Sequence, residues 1–139
     1  MKGIILTSHG TYASGLYQTV KMIAGEFPNI RIVEFHEGEN LEDFDQKLID
    51  AYKDLNYKDI VVITDLAGGT PFNRSVMNLS DKRNVAFLSG ANFAMVYQAL
   101  SSEIEDLSEF VADVLETGKS SITKFDMGED VEESLEDGI

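Results

Sequence analysis

Ile60-Val61-Val62-Ile63 is a run of four β-branched residues with no polar side chain among them. A strand with one wet face would alternate, so this run suits a strand covered on both sides, as in the interior of a parallel sheet. Three more short aliphatic runs, Gly3 to Thr7, Ile30 to Phe35 and Val85 to Leu88, recur along the chain. Helical periodicity fills the gaps. Ala13, Leu16, Val20, Ile23 and Ala24 share one helical face, and Leu41, Phe44, Leu48, Tyr52 and Leu55 share another behind the N-cap residue Asn40. Thr70-Pro71 reads as N-cap and first helical residue of a short helix reaching about Met77. Phe93, Val96 and Leu100 mark a further helix. Ile104, Leu107, Val111, Val114 and Leu115 mark the last, which is expected to stop at Gly118. Ser120 to Phe125, with Ile122, Thr123 and Phe125, reads as an antiparallel edge strand.

Strands alternating with helices predict an α/β fold: a doubly wound, mainly parallel sheet of order 2-1-3-4, with right-handed crossovers and helices on both faces. The chain's 139 residues fit one such domain, large enough to bury about 70% of its unfolded surface. Residues 1–125 carry the pattern. Residues 126–139 form an acidic tail with seven carboxylates and no base, half of the formal net charge of −14. Val131 and Leu135, at i and i+4, leave room there for a short docked helix. A charge of this sign repels nucleic acid and anionic lipid. The chain has no cysteine, which removes disulfides, thiolate nucleophiles and cysteine-held metals. No apolar stretch approaches the length of a membrane span, and the one at the N-terminus is too short for a signal-peptide core, so the cytoplasm is the expected location.

In open α/β sheets, ligands bind beyond the carboxyl ends of the strands where strand order reverses, here between the first and third strands. The residues just past those strands are Thr7-Ser8-His9-Gly10-Thr11 and Asp65-Leu66-Ala67-Gly68-Gly69-Thr70-Pro71-Phe72-Asn73. Neutral imidazole is a competent nucleophile near pH 7, and a carboxylate bonded to one ring nitrogen leaves a lone pair on the other. His9 and Asp65 are therefore the expected catalytic pair, on strands about 5 Å apart. Gly68, Gly69 and Thr70 open a helix whose first turn holds no acid, a seat for an anion, with Ser8 and Gly10 beside His9 as further phosphoryl contacts. His36, in the charged stretch from Glu34 to Glu39, reads as surface. There is no Walker-type Gly-Lys-Ser/Thr and no acid cluster spaced for magnesium, so neither a cofactor nor a metal is expected.

At these residues the sequence resembles the mannose-family enzyme IIA of the bacterial phosphoenolpyruvate-dependent sugar phosphotransferase system. The resemblance spans about residues 2–125 and rests on Ile4-Ile5-Leu6-Thr7-Ser8-His9-Gly10 and Thr64-Asp65-Leu66-Ala67-Gly68-Gly69-Thr70-Pro71-Phe72-Asn73. It implies that His9 accepts phosphoryl from the phosphocarrier HPr and gives it to a histidine of an enzyme IIB. Asp65 would orient His9, and Thr70 with the adjacent backbone would steady the phosphoryl group. It also implies a homodimer in which the last strand, Ser120 to Phe125, is exchanged between subunits. Leu66-Ala67 stands where the family often carries a bulkier residue, and the acidic tail has no clear counterpart. Three other readings stay open at this level: the phosphoryl donor subunit of a dihydroxyacetone kinase, a flavodoxin-like electron carrier with flavin phosphate in the first turn, and a regulatory docking module. So does the choice of imidazole nitrogen.

Overall fold

The computed structural model describes residues 1–127 and 138–139. The docked-helix expectation at Val131 and Leu135 lies outside them. Four strands, β1 (Gly3–His9), β2 (Ile30–Phe35), β3 (Ile60–Thr64) and β4 (Val85–Leu88), form one parallel sheet of order β2-β1-β3-β4. Helices α1 (Tyr12–Ala24), α2 (Leu41–Asp54), α3 (Thr70–Leu79), α4 (Phe93–Ser101) and α5 (Leu107–Ser120) cover it.

Successive strand residues point to opposite faces, and both faces are covered, which explains the unbroken apolar runs. Ile4, Leu6, Val61 and Ile63 pack against Ala13 and Val20 of α1, Met95 and Leu100 of α4, and Phe110 and Val114 of α5. Ile5, Val33, Ile60 and Val62 pack on the other side against Phe44 and Leu48 of α2 and Leu79 of α3. Each such side chain contributes roughly 1.5–3 kcal/mol when fully buried. The α2–α3 layer is further joined by Arg74, whose guanidinium makes a two-pronged contact with the Asp45 carboxylate. That contact holds the Asp45 carboxyl below its usual range against the opposing effect of burial, and Asn78 adds a third hydrogen bond at 2.8 Å.

Four boundaries differ from expectation. β1 runs on to His9, which pairs with Phe35 at the end of β2. α3 is longer, through Leu79, and its N-cap is Gly69, with Thr70 as the first helical residue. Gly118 does not end α5. It sits buried inside the helix, where a Cβ would come within 2.4 Å of Met95 Cγ, so its smallness lets α5 lie close on α4. Finally, Ser120 is the last residue of α5, and residues 122–126 form no ladder with any strand among the described residues. The outer edge of β4 is correspondingly unpaired among the described residues.

Candidate functional site

β1 pairs with β3 only as far as Thr7 and Thr64, two residues short of its own end. The backbone N–H of His9 therefore faces a position where β3 has already stopped. Asp65, the next residue of that chain segment, fills it with a side chain. Its Oδ2 accepts the His9 backbone N–H at 3.1 Å and lies 2.7 Å from Nδ1 of the same residue, while Oδ1 accepts the Leu66 N–H at 3.1 Å. One carboxylate thus continues the ladder and grips the ring.

Asp65 is 13% exposed and His9 44%. Burial pushes the Asp65 carboxyl up, but the hydrogen bonds from the His9 ring and backbone, the His9 charge and the Leu66 N–H together outweigh it and hold it below its ordinary value. An ionised carboxylate only accepts, so in the neutral imidazole Nδ1 carries the proton and the lone pair is on Nε2.

The ring's free edge lies against the start of α3. A Cβ on Gly69 would sit 2.7 Å from His9 Cε1 and 3.4 Å from Nε2. Only glycine leaves room for the imidazole at that point. Phe35, the register partner of His9, meets the ring edge-on at 6.4 Å and is itself seated on Phe44 at 5.2 Å. The α3 N-terminus has no side-chain cap and no acid in its first turn, and Pro71 has no N–H to offer. Asn73 closes the loop by donating to the Gly68 carbonyl at 3.1 Å, and Gly68 takes the left-handed φ of 81° that the turn requires.

The structure brings His9, Asp65 and Gly69 together, with Gly68 and Thr70 on either side of Gly69 in the chain. Ser8 and Gly10 are placed differently. Neighbours in a strand point to opposite faces, so Ser8 is buried on the α1 side, where its Oγ accepts the Ala13 N–H at 2.8 Å. Gly10 turns the chain at φ 53°, and its N–H is bonded to the Phe35 carbonyl at 2.9 Å. Both shape the turn, and the Ser8 hydroxyl oxygen and the Gly10 N–H are already engaged. Sequence reading missed Phe35 and Glu34, and gave Asn73, the last residue of the motif, no role. The register implied by order 2-1-3-4, which sets residues 34 and 35 beside 8 and 9, is the signal for the first two. His36 is exposed, and its backbone N–H bonds Glu39 Oε1. A depression of about 440 Å³, walled by Lys58, Asp59, Asn84 and Glu105 among others, lies at the opposite, amino-terminal edge of the sheet. His9 stands on an open face, a shape suited to a second protein more than to an enclosed small molecule.

The family model described as PTS system fructose IIA component, EIIA-man, matches residues 3–115. The chain belongs to this family. Among the relatives of this IIA chain is the PTS system mannose-specific EIIAB component of Escherichia coli, 31% identical over 122 residues. That alignment covers 86% of the chain but only 38% of the relative, so the chain spans well under half the length of that curated protein. The PTS system fructose-specific EIIA component of Bacillus subtilis is 28% identical over 102 residues, covering 73% and 70% of the two chains. The solved mannose/sorbose specific IIA subunit from Enterococcus faecalis superposes with a TM-score of 0.84 at 32% identity, covering 93% of this chain and 98% of that one. EIIA proteins are phosphotransferase components, and no helix of this one, among the described residues, is long and apolar enough to cross a membrane.

Proposed function

We propose that His9 accepts a phosphoryl group on Nε2 from phospho-HPr and passes it to a histidine of an enzyme IIB. The transfer serves coupled uptake and phosphorylation of a sugar of the mannose, fructose, sorbose, gluconate or amino-sugar class, and it takes place in the cytoplasm. The observation that carries this reading is the orientation of one ring: Nδ1 bonded to Asp65 at 2.7 Å, and the Nε2 edge against the uncapped start of α3. The Nε2 lone pair attacks phosphorus while the bond to the donor imidazole breaks, its electron pair staying on the donor ring. Donation to IIB reverses the roles. Asp65 holds the tautomer and offsets the positive charge that the ring acquires, and the α3 amides and dipole face the phosphoryl oxygens.

The turns at residues 9–12, 36–40, 65–69 and 89–92 and the first helical turns that follow them contain no lysine or arginine, but hold Glu37, Glu39, Glu42, Asp43 and Asp65. The charge of the travelling phosphoryl is therefore matched by cations on the partner, around an apolar contact that the half-exposed Leu66 provides. A flavin reading is disfavoured by the filled turn after β1, where Ser8 and Glu34 already bond the α1 amides. A dihydroxyacetone kinase subunit shares the chemistry and differs in its acceptor. The reading includes a homodimer in which residues 120–125 add to the unpaired edge of the partner's β4. Ile122 and Phe125, 78% and 55% exposed, are then covered. A chain that sediments as a monomer at micromolar concentration removes that part.

The test is incubation with phosphoenolpyruvate, enzyme I and HPr. Acid-labile, base-stable phosphate is expected on the protein, assigned to Nε2 of His9 by phosphorus–nitrogen NMR correlation. A protein that takes up no phosphate, or is substituted at Nδ1, overturns the mechanism. Gly69→Ala should lower the phosphorylation rate by about 100-fold, since the new Cβ displaces the ring by around 1 Å. Its backbone, at φ −78° and ψ 169°, suits alanine, so the melting temperature should hardly move. Equal losses of rate and stability would mean that the glycine serves the fold alone.

A further inference from the structure

Two helix N-termini flank His9, and they are not equivalent. α3 is uncapped, whereas α1 is closed by groups from outside its own sequence. Its N-cap residue Thr11 makes no side-chain cap, and its first turn has no acid. The Ala13 N–H goes instead to Ser8 Oγ, and the Ser14 N–H goes to Glu34 Oε2, each at 2.8 Å. Glu34 belongs to β2, where it is the register partner of Ser8. Strand alternation turns its side chain to the α1 face, opposite to that of Phe35. Lys47 holds the same residue from the other side, donating to the Glu34 carbonyl at 2.6 Å while pairing with Glu39 at 2.8 Å. The carboxylate is thus fixed against the turn by its own backbone anchor.

We infer that Glu34 is a specificity residue: its carboxylate occupies, from within the fold, the anion seat at the start of α1, leaving the start of α3 as the one open seat beside His9. The turn after the first strand is where open α/β sheets commonly place a ligand phosphate. A helix N-terminus carries the equivalent of about half a positive charge, which a full carboxylate more than offsets. Inorganic phosphate and phosphate monoesters in solution are refused at that turn, and His9 stays accessible to phosphoryl brought by a protein. The occluding role concerns α1 alone, and only its benefit to transfer rests on the function proposed above.

The test uses the full chain, with inorganic phosphate as the probe and backbone amide resonances as the readout. In the wild type, phosphate up to tens of millimolar should leave Ala13 and Ser14 unmoved. In Glu34→Ala those two amides should shift saturably, with at least about a tenfold gain in phosphate affinity at that end. Glu34→Gln keeps the size and one acceptor oxygen for Ser14, so it folds even where alanine does not. It should show a smaller gain of the same kind, because the neutralising charge is gone. A wild type that already binds phosphate at Ser14, or folded variants that gain no response there, would reduce Glu34 to a structural cap. The titration needs no phosphorylation of His9, so a failed phosphotransfer assay and a failed titration are told apart.

Discussion

On the proposed function, exchange of His9 for alanine should abolish phosphoryl uptake from phospho-HPr, a fall of at least about 10⁴-fold, because a covalent nucleophile is removed. The fold should survive. His9 is nearly half exposed, and Asp65 keeps the backbone N–H groups of residue 9 and Leu66 after the ring is gone. Loss of one side-chain hydrogen bond costs about 1 kcal/mol, little for a domain with two apolar cores. His36→Ala should retain full labelling, since that residue is exposed and its backbone N–H bonds Glu39 of its own turn. Base-stable label persisting in the His9 variant would move the acceptor elsewhere and end the proposal.

Asp65→Asn should slow transfer by about 10²- to 10⁴-fold with His9 intact. An amide is as large as a carboxylate, but it can turn its NH₂ toward Nδ1 and select the tautomer with the proton on Nε2. It also brings no charge to balance the phosphorylated ring. The folded-state carboxyl of Asp65 lies below its ordinary value of 3.8, so the stability it contributes is complete above that value and is lost as pH falls through the folded one. The gap in melting temperature between wild type and variant should be full at neutral pH and close in acid. A gap that does not narrow as the pH falls below 3.8 would show that the ionised form is not what stabilises the turn.

Much of this site was legible because its parts obey local rules and one topological rule. Continuous aliphatic runs mark strands covered on both faces, and a glycine pair before Thr-Pro marks a turn into a helix. Strand order then places the ends of β1 and β3 side by side, which brings His9 to Asp65. Boundaries set by distant partners were less legible. Gly118 has the local signature of a helix stop, yet Met95, 23 residues earlier, decides that it is a packing contact. Thr70 looks like an N-cap, yet the chain enters α3 one residue sooner at Gly69, where the His9 ring leaves no space for a side chain.

From its residues alone this protein is determined to be a parallel α/β domain with a histidine and a carboxylate at the reversal of strand order, because periodicity and turn chemistry are properties of neighbouring residues. Which ring nitrogen faces Asp65, which of two helix ends carries side-chain caps, and which polar groups around His9 are already engaged were decided only in three dimensions. Those outcomes depend on register and close approach between segments far apart in the chain, as when Glu34 of β2 closes α1 or Gly69 admits the imidazole, and no local pattern encodes such distances.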